Sequence, residues 1–168
     1  MSNNLLEKDH SRREDCLKLI THSAVMTLAT RNRESAWSAP VYYLFTDGRF
    51  YFFSNPDSRH VQEGESRVCG ASIFRDDPCF ENLEGIQMSG RIAPGGKGME
   101  AAKAALAYCR RHGIKLDIPG DTGSASLPGN ILTVFASAYH ARLYCFEPDQ
   151  VFYMDNSRGF GNRIQVEL

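Results

Sequence analysis

The chain has 168 residues, 42% of them hydrophobic, and its 19 basic and 20 acidic side chains leave a formal net charge of −1. This length predicts one domain with a sizeable core. The balanced charge argues against a nucleic-acid partner, which requires clustered basic residues. No apolar run reaches the roughly 18 residues of a transmembrane helix, and the polar N-terminus is unlike a signal peptide. We therefore expect a cytoplasmic protein with no membrane partner.

The five cysteines are scattered along the chain, are odd in number and form no CxxC pair. In a reducing compartment this pattern predicts small core residues or surface thiols rather than disulfides. The histidines have no partners at ligand spacing, so we expect no metal site.

The N-terminal segment, residues 1–22, carries the first predicted helix. Ser11 and Glu14 match a capping box, in which a Ser side chain and a Glu side chain satisfy exposed backbone donors at a helix start. Apolar residues then recur at helical spacing. We expect the helix to begin at Ser11 and to end near His22.

A dense β region follows this helix. The pattern predicts an antiparallel meander of three strands, over residues 24–30, 36–45 and 49–53. Asp47 and Gly48 are a strong hairpin signal, because glycine tolerates the positive φ that such turns need. Pro40 cannot donate to a ladder, so it predicts a sheet edge or a bulge, and a bulge would open backbone groups towards a ligand.

The second half of the chain continues this mixed pattern. We expect a short helix over 58–65, strands over 67–74 and 83–92, helices over 99–112 and 131–138, a mobile loop over 118–129, and a last hairpin of 141–147 and 151–154 turned at Pro148 and Asp149. The two later helices define a helical insertion, 97–138. Short antiparallel strands favour a small barrel with peripheral helices, since closure removes exposed edges.

The segment 54–60 lies between a predicted strand and a predicted helix. Free backbone N–H groups and the helix dipole favour an anion at such a position. Ser54 and Ser58 offer hydroxyl donors, and Arg59 offers a charged fork that can hold two phosphate oxygens. The alternative is that Asp57 or Ser58 caps the helix and Arg59 is solvated. The residues alone leave both interpretations open.

A family resemblance bears on this choice. The run Phe-Tyr-Phe-Phe-Ser-Asn-Pro-Asp-Ser-Arg-His at 50–60 resembles the aromatic strand, Thr/Ser-Asn turn and Ser-Arg-Lys phosphate grip of the pyridoxamine 5′-phosphate oxidase-like, FMN-binding split-barrel superfamily. Further motifs lie on both sides of this run, at 24–30, 38–42, 47–48, 67–71 and 88–91, in the same order as in that superfamily. The tail at 155–161 is similar to the end of an uncharacterised bacterial subfamily of that superfamily.

The resemblance implies a single domain over 1–168, mainly β, built as a six-stranded antiparallel split β-barrel that forms a homodimer with FMN at the interface. It implies that Ser54, Ser58, Arg59 and His60 hold the phosphate. The other implied cofactor-binding residues are Trp37, Ser38, Ala39, Pro40, Val41, Tyr42, Phe53, Gln87, Asn156, Phe160, Asn162 and Arg163. The alternative for the last four is a structural C-terminal loop at the dimer interface.

The chain also departs from the oxidase pattern. His60 stands where the oxidase has Lys, which replaces a fixed charge by a titratable one. Gly85 stands where the oxidase has a flavin-contacting Gln, and Gln87 shares its face only if the strand is regular. The substrate motif Arg-x-His near the oxidase C-terminus is absent, so we do not expect pyridoxamine phosphate oxidation.

These observations predict an FMN-dependent oxidoreductase whose substrate and catalytic residues the sequence does not name. A reduced nicotinamide cofactor is one candidate electron donor, although the chain has no Gly-rich dinucleotide fingerprint. The alternatives are a non-catalytic FMN carrier or sensor, and a haem-binding relative in which His140 is an axial ligand.

Overall fold

The structure, a computed structural model, describes residues 2–115 and 128–168, and within them the side chains of 11–115 and 131–168. The loop predicted over 118–129 lies mostly outside the described residues.

Helices and strands alternate unevenly along the chain. The described helices are α1 (Ser2–His22), α2 (Arg59–Gly64), α3 (Gly98–Arg111) and α4 (Pro128–Tyr139), with short 3-10 turns at Phe80–Asn82 and Asn156–Arg158. The described strands are β1 (Val25–Arg31), β2 (Ala36–Tyr42), β3 (Leu44–Thr46), β4 (Arg49–Ser54), β5 (Val68–Arg75), β6 (Glu84–Pro94), β7 (Arg142–Asp155) and β8 (Arg163–Gln165).

The strands form one antiparallel sheet in the order β2-β1-β5-β6-β7-β4-β3, and β8 pairs with β7. β2 and β3 lie at opposite ends of this order, yet only Tyr43 separates them along the chain. The sheet must therefore curl until its two ends meet, which gives a half-barrel with peripheral helices. The prediction of a mainly β fold is confirmed.

The predicted number of six strands is wrong, because the described sheet has eight. The run predicted as one strand over 36–45 is divided at Tyr43, so that its first part pairs with β1 and its second part with β4. The short β8 adds the other strand at the C-terminal end.

Tyr43 is fully buried at the junction of the two sheet ends. Its hydroxyl donates to the carbonyl of Ile20, 2.6 Å away, and its backbone N–H donates to the carbonyl of Ala24 at 3.2 Å. Its ring packs edge-on against Phe50, with centroids 5.4 Å apart. The last turn of a helix leaves carbonyls without intrahelical partners, and Tyr43 satisfies one of them at the end of α1.

The hairpin between β3 and β4 confirms the turn signal. Asp47 and Gly48 have φ values of 52° and 74°, as a tight two-residue turn requires. Of the two predictions for Pro40, a sheet edge and a bulge, the sheet edge is confirmed, because β2 lies at one end of the strand order. The bulge is wrong, because the β1–β2 register runs without a shift from Val25↔Tyr42 to Arg31↔Ala36.

The predicted last hairpin is also wrong, because β7 is one continuous strand that pairs along β6. Pro148 and Asp149 form a bulge, which is marked by the register shift between Ser89 and Gly90. Because Pro148 has no backbone N–H to donate to β6, a bulge is a position where a strand tolerates it. A Cβ at Gly90 would lie 2.2 Å from the carbonyl oxygen of Glu147. The close crossing therefore requires glycine there.

The helix predictions hold except at the start of α1. That helix begins at Ser2 rather than at Ser11, since the preceding residues include Leu, Glu and Lys, which are good helix formers, and no proline or glycine. The local capping signal at Ser11 was therefore overridden. No described helix is both long enough and apolar enough to cross a membrane.

The core lies inside the curl, on what we call the inner face of the sheet. Its largest buried side chains are Tyr43, Phe50, Phe52, Phe146 and Tyr153. The alternate residues of β2, β1, β5 and β6 lie on the outer face. All five cysteines are free thiols, four buried and Cys79 exposed.

Replacing Tyr43 by Phe removes the hydroxyl that satisfies the Ile20 carbonyl while keeping the ring. We expect the free energy of unfolding to fall by about 1–3 kcal/mol, the usual effect of leaving a buried polar group unpaired. Urea unfolding measures the difference. The matched control is Tyr42→Phe, whose ring is exposed and whose effect we expect within about 0.5 kcal/mol. Equal effects would refute the role of the Tyr43 hydroxyl.

Candidate functional site

The predicted phosphate segment lies at the open end of the half-barrel. Phe50, Phe52 and Ser54 alternate along β4 on its inner face, so the strand leaves the core at Ser54 and turns into α2. Helix α2 packs against β1 and β2. We use the term rim cluster for two neighbouring groups of side chains at the start of α2: Ser54, Ser58 and His60, which contact one another, and Arg59 with Trp37.

Two hydroxyls and an imidazole converge within the rim cluster. Ser54 Oγ lies 2.9 Å from Ser58 Oγ and 2.8 Å from His60 Nε2, and Ser58 Oγ lies 3.3 Å from the same nitrogen. Ser58 occupies the N-cap position of α2, but its hydroxyl turns to this group instead of capping the helix. Burial lowers the pKa of His60 below its usual value, so the ring is neutral at pH 7.

Arg59 is held against the protein on three sides. Its Nε donates to Glu63 Oε1 at 2.7 Å, and its Nη2 donates to Ser35 Oγ. Its guanidinium carbon lies 4.8 Å from the ring centroid of Trp37. Arg59 is thus partly exposed, and its guanidinium is already paired with a carboxylate.

Glu63 is the partner that the sequence interpretation missed. Glu63 is buried, with only 8% of its surface exposed. Its carboxylate accepts hydrogen bonds from Thr30 Oγ1 at 3.2 Å and from Asn32 Nδ2 at 2.8 Å. Burial raises the pKa of this carboxyl, but the bonds from Arg59, Thr30 and Asn32 and the Arg59 charge together lower it by more. The i,i+4 spacing of Arg59 and Glu63 on a predicted helix was the available signal.

The predicted flavin-facing strand β2 divides its residues between two faces. Ser38, Pro40 and Tyr42 lie on the outer face and are exposed, whereas Ala39 and Val41 turn towards the core. Trp37, 44% exposed, stands at the end of this strand beside Arg59.

Gln87 lies on the outer face of β6, with its backbone opposite Ser72. The strand is regular there, so Gly85 and Gln87 share that face, as expected. Gln87 Oε1 accepts from Arg163 Nη1 at 3.1 Å, and the Arg163 guanidinium lies 4.9 Å from the ring of Phe152.

Phe53 points away from the rim cluster. Its ring stacks on Phe135 with centroids 3.7 Å apart, under α3 and α4. Its side chain is therefore used in packing between the sheet and the helices.

The C-terminal candidates form a structured turn. Asn156 is buried and donates from Nδ2 to the Phe80 carbonyl at 2.9 Å, and Asn162 donates to the Arg158 carbonyl at 3.4 Å. Phe160 is 85% exposed and meets Phe80 edge-on. Among the described residues, no hydrogen bond or ring contact joins this turn to the rim cluster.

A second cation beside the phosphate segment was also missed. Arg142 is the cross-strand partner of Ser54 between β4 and β7, 88 positions away along the chain, so only the register reveals it. Arg142 and His140 line a cavity of about 270 Å³ together with Asn55, Pro56, Asp57 and Ala136. The described part of the chain contains no cluster of three or more metal-ligating side chains.

Solved structures share this architecture at low sequence identity. Campylobacter jejuni ChuZ matches with a TM-score of 0.65 and 12% identity, over 92% of this chain and 58% of that one. A haem-binding protein from Mycobacterium smegmatis matches with a TM-score of 0.65 and 14% identity, over 92% of this chain and 57% of that one. The chain thus spans less than two thirds of both.

An FAD-binding protein from Mycobacterium smegmatis is closer in length. It matches with a TM-score of 0.56 and 11% identity, over 84% of this chain and 93% of that one. No protein-family model matches the sequence, and no curated protein matches it. These structural matches show that the chain shares the split-barrel fold of these proteins, which is the fold that the resemblance predicted.

The Glu63→Gln variant tests the buried ion pair through its pH dependence. The folded-state pKa of Glu63 is lowered, so its stabilisation is present above the usual pKa of Glu, about 4.3, and disappears as pH falls through the folded-state value. We expect the variant to unfold at lower urea concentration than the parent at pH 7, with a difference that shrinks below about pH 4.

Glu34→Gln is the matched control, because Glu34 is exposed in the nearby turn between β1 and β2. We expect it to leave the urea midpoint nearly unchanged at both pH values. A difference between Glu63→Gln and the parent that does not change with pH would contradict the ionised pair.

Proposed function

We propose that this chain binds a flavin through its phosphate at the rim cluster and works as an FMN-dependent oxidoreductase of unknown substrate. The observation that carries the proposal is the convergence of the Ser54 and Ser58 hydroxyls and the His60 imidazole beside Arg59. The FAD-binding protein of Mycobacterium smegmatis supports it, since that protein shares the fold.

The donor set suits a phosphate group. Ser54 and Ser58 now bond to each other and to His60, and their hydroxyls can rotate to donate to a ligand oxygen instead. A phosphate dianion close to His60 favours the protonated ring. Because Glu63 already balances the charge of Arg59, phosphate affinity depends strongly on the hydroxyls and on His60, and it should increase as pH falls towards 6.

The surroundings offer a surface for the flavin ring. The half-exposed indole of Trp37 lies against the Arg59 guanidinium and offers a ring face there, whereas Ser38 and Pro40 lie on the opposite, outer face of β2. A bound flavin supplies hydride or electron transfer, while the chain binds and orients it.

A homodimer is part of the same proposal. The outer face of the sheet carries three exposed apolar side chains: Tyr42, Val25 and Phe74. Tyr42 on β2 pairs directly with Val25 on β1, and Phe74 lies on β5, two residues after Ser72. Exposed apolar patches of this kind mark interaction sites. In a dimer built on this face, Gln87, Arg163 and the C-terminal turn with Asn156, Phe160 and Asn162 would complete the flavin site of the other subunit.

Haem binding is the second candidate. His140 is exposed and lines the 270 Å³ cavity, where its imidazole is available as an axial ligand. The haem-binding protein of Mycobacterium smegmatis shares the fold.

The absorption spectrum of the purified protein separates these functions. We expect flavin bands that bleach on addition of a reduced nicotinamide cofactor. Flavin bands without turnover would favour the carrier or sensor, and a Soret band would favour haem. A protein that binds neither chromophore when each is added in excess would contradict the proposal.

Arg59→Ala tests the contribution of the guanidinium. Charge-assisted hydrogen bonds contribute about 1.5–3 kcal/mol, so we expect the Kd for FMN to rise about tenfold or more. Fluorescence titration measures the Kd, and circular dichroism confirms that the variant is folded. Arg110→Ala, in an exposed position on α3, is the control. An unchanged FMN affinity in the Arg59 variant would remove this residue from the site.

Phe74→Glu tests the dimer, because a buried unpaired carboxylate opposes association. We expect light scattering after size exclusion to report a dimer for the parent chain and a monomer for the variant. Met99→Glu, at an equally exposed apolar position on α3, should leave the dimer intact. A monomeric parent chain, or a dimeric Phe74→Glu variant, would refute an interface on the outer face.

A further inference from the structure

Tyr153 on β7 carries a buried hydroxyl that bonds to none of the described residues. The residue is 2% exposed and belongs to the core inside the curl. Among the described side chains, its hydroxyl oxygen is the one buried polar atom without a hydrogen-bond partner. Burying a hydroxyl unpaired is costly, and the large majority of such groups in folded proteins bind a protein atom or an ordered water. The Tyr153 hydroxyl therefore requires a partner that its protein neighbours do not supply.

A small cavity lies against Tyr153, with a volume of about 10 Å³. A single buried water needs roughly 10–15 Å³, whereas ligand pockets measure roughly 300–1,000 Å³. The cavity is therefore about the size of one water molecule and excludes a substrate or a cofactor. Its lining comes from α1, β7, the C-terminal turn and β8, through Arg12, Tyr153, Asp155, Arg158, Asn162 and Ile164.

The lining supplies the polar partners that an internal water requires, which number roughly two to four. The Tyr153 hydroxyl can donate or accept, and the Asn162 amide can do both. The Asp155 carboxylate accepts, and the Arg12 guanidinium donates. A water molecule also donates and accepts, so it can join such a mixed set.

The charges around the cavity favour a neutral occupant. The guanidinium of Arg158 is paired with Asp155 at 2.8 Å and with Asp15 at 2.6 Å. Burial and the neighbouring carboxylates raise the pKa of Tyr153 by more than the Arg158 charge lowers it, so the hydroxyl stays protonated at neutral pH. These carboxylates oppose an anion in the cavity, and the guanidiniums in its lining oppose a cation.

The side chains of the C-terminal turn anchor it unevenly. Before Phe160, Asn156 donates to two backbone carbonyls outside the turn, at 3.0 Å from its backbone and at 2.9 Å from its side chain. After Phe160, the side chain of Asn162 donates at 3.4 Å to a carbonyl of the turn itself. A water bonded to both Asn162 and Tyr153 would fasten this second side of the turn to the sheet.

We infer that one water molecule occupies this cavity and bridges the Tyr153 hydroxyl to the Asn162 side of the C-terminal turn. Tyr153 is then a positioning residue for the turn, which presents Phe160, 85% exposed, to solvent. The inference does not depend on what the rim cluster binds, because the cavity shares no described lining residue with that cluster.

Tyr153→Phe tests the inference through the sign of its effect on stability. The variant keeps the ring and removes only the hydroxyl. Removing an unpaired buried hydroxyl leaves the folded state equally or more stable, whereas removing one that bonds to a water destabilises it. We therefore expect the urea midpoint to fall. Tyr139→Phe, at a position 58% exposed, is the control and should keep the parent midpoint. An unchanged or higher midpoint for Tyr153→Phe would overturn the inference.

Hydrogen–deuterium exchange tests the positioning role. Loss of the water should speed exchange severalfold in peptides that cover 155–162, while peptides from β1 and β5 keep the parent rates. A purely global loss of stability would speed exchange in those strands as well. Unchanged exchange at the turn, or equal acceleration in the turn and the strands, would overturn the role of Tyr153.

A crystal structure of the full-length chain gives the direct check. We expect one ordered water within about 3.0 Å of the Tyr153 hydroxyl oxygen, bonded also to Asn162, and no water at that place in the Tyr153→Phe variant. A dry cavity in the parent chain, or a side-chain atom bonded to the hydroxyl, would overturn the inference. Either result leaves flavin binding at the rim cluster to its own spectroscopic test.

Discussion

The single-residue connection at Tyr43 is the constraint from which the rest of the molecule follows. It joins the two strands at opposite ends of the sheet order, so the sheet cannot stay open and flat. Curling brings the end of β4, and with it α2, over β1 and β2. Glu63 of α2 then meets Thr30 and Asn32, and the rim cluster is assembled from segments that are separate in sequence.

The electrostatics of the rim cluster distinguish it from a simple basic site. Arg59 is charge-balanced by Glu63, and burial keeps His60 neutral by lowering its pKa. The cluster therefore presents oriented hydrogen-bond donors rather than a large net charge. In the phosphate complex that we propose, binding would be coupled to proton uptake by His60, because a nearby dianion favours the imidazolium. A histidine at position 60, where the resembling oxidase has lysine, would then make the affinity of the proposed site depend on pH.

Local signals in the sequence identified most of the fold. The Asp47-Gly48 turn, the aromatic strand before Ser54 and the helix α3 all depend on neighbouring residues, and each lies where it was predicted. Errors arose where tertiary pairing decides the outcome. β7 continues through Pro148 because a bulge at Pro148 and Asp149 fits against Gly90 of β6, and no local pattern contains that information.

In the candidate site, likewise, the part that is local in sequence was predictable and the part that depends on strand pairing was not. Ser54, Ser58, Arg59 and His60 lie within seven consecutive positions, and the structure joins Ser54, Ser58 and His60 by hydrogen bonds, whereas Arg59 contacts Glu63 and Trp37. Arg142 reaches the same place only through the register of β4 with β7, and Asn32 reaches Glu63 only through the curl of the sheet. These contacts depend on long-range strand pairing, which one sequence does not reveal.

The central claim is that the phosphate of the flavin is bound by the rim cluster, and comparison of FMN with riboflavin tests it most directly. The two ligands share the ring and the ribityl chain and differ only in the phosphate. Equilibrium titration of the purified chain at pH 7 should give a Kd for FMN at least about tenfold lower than that for riboflavin, as expected for charge-assisted hydrogen bonds. Equal dissociation constants for FMN and riboflavin would contradict the account.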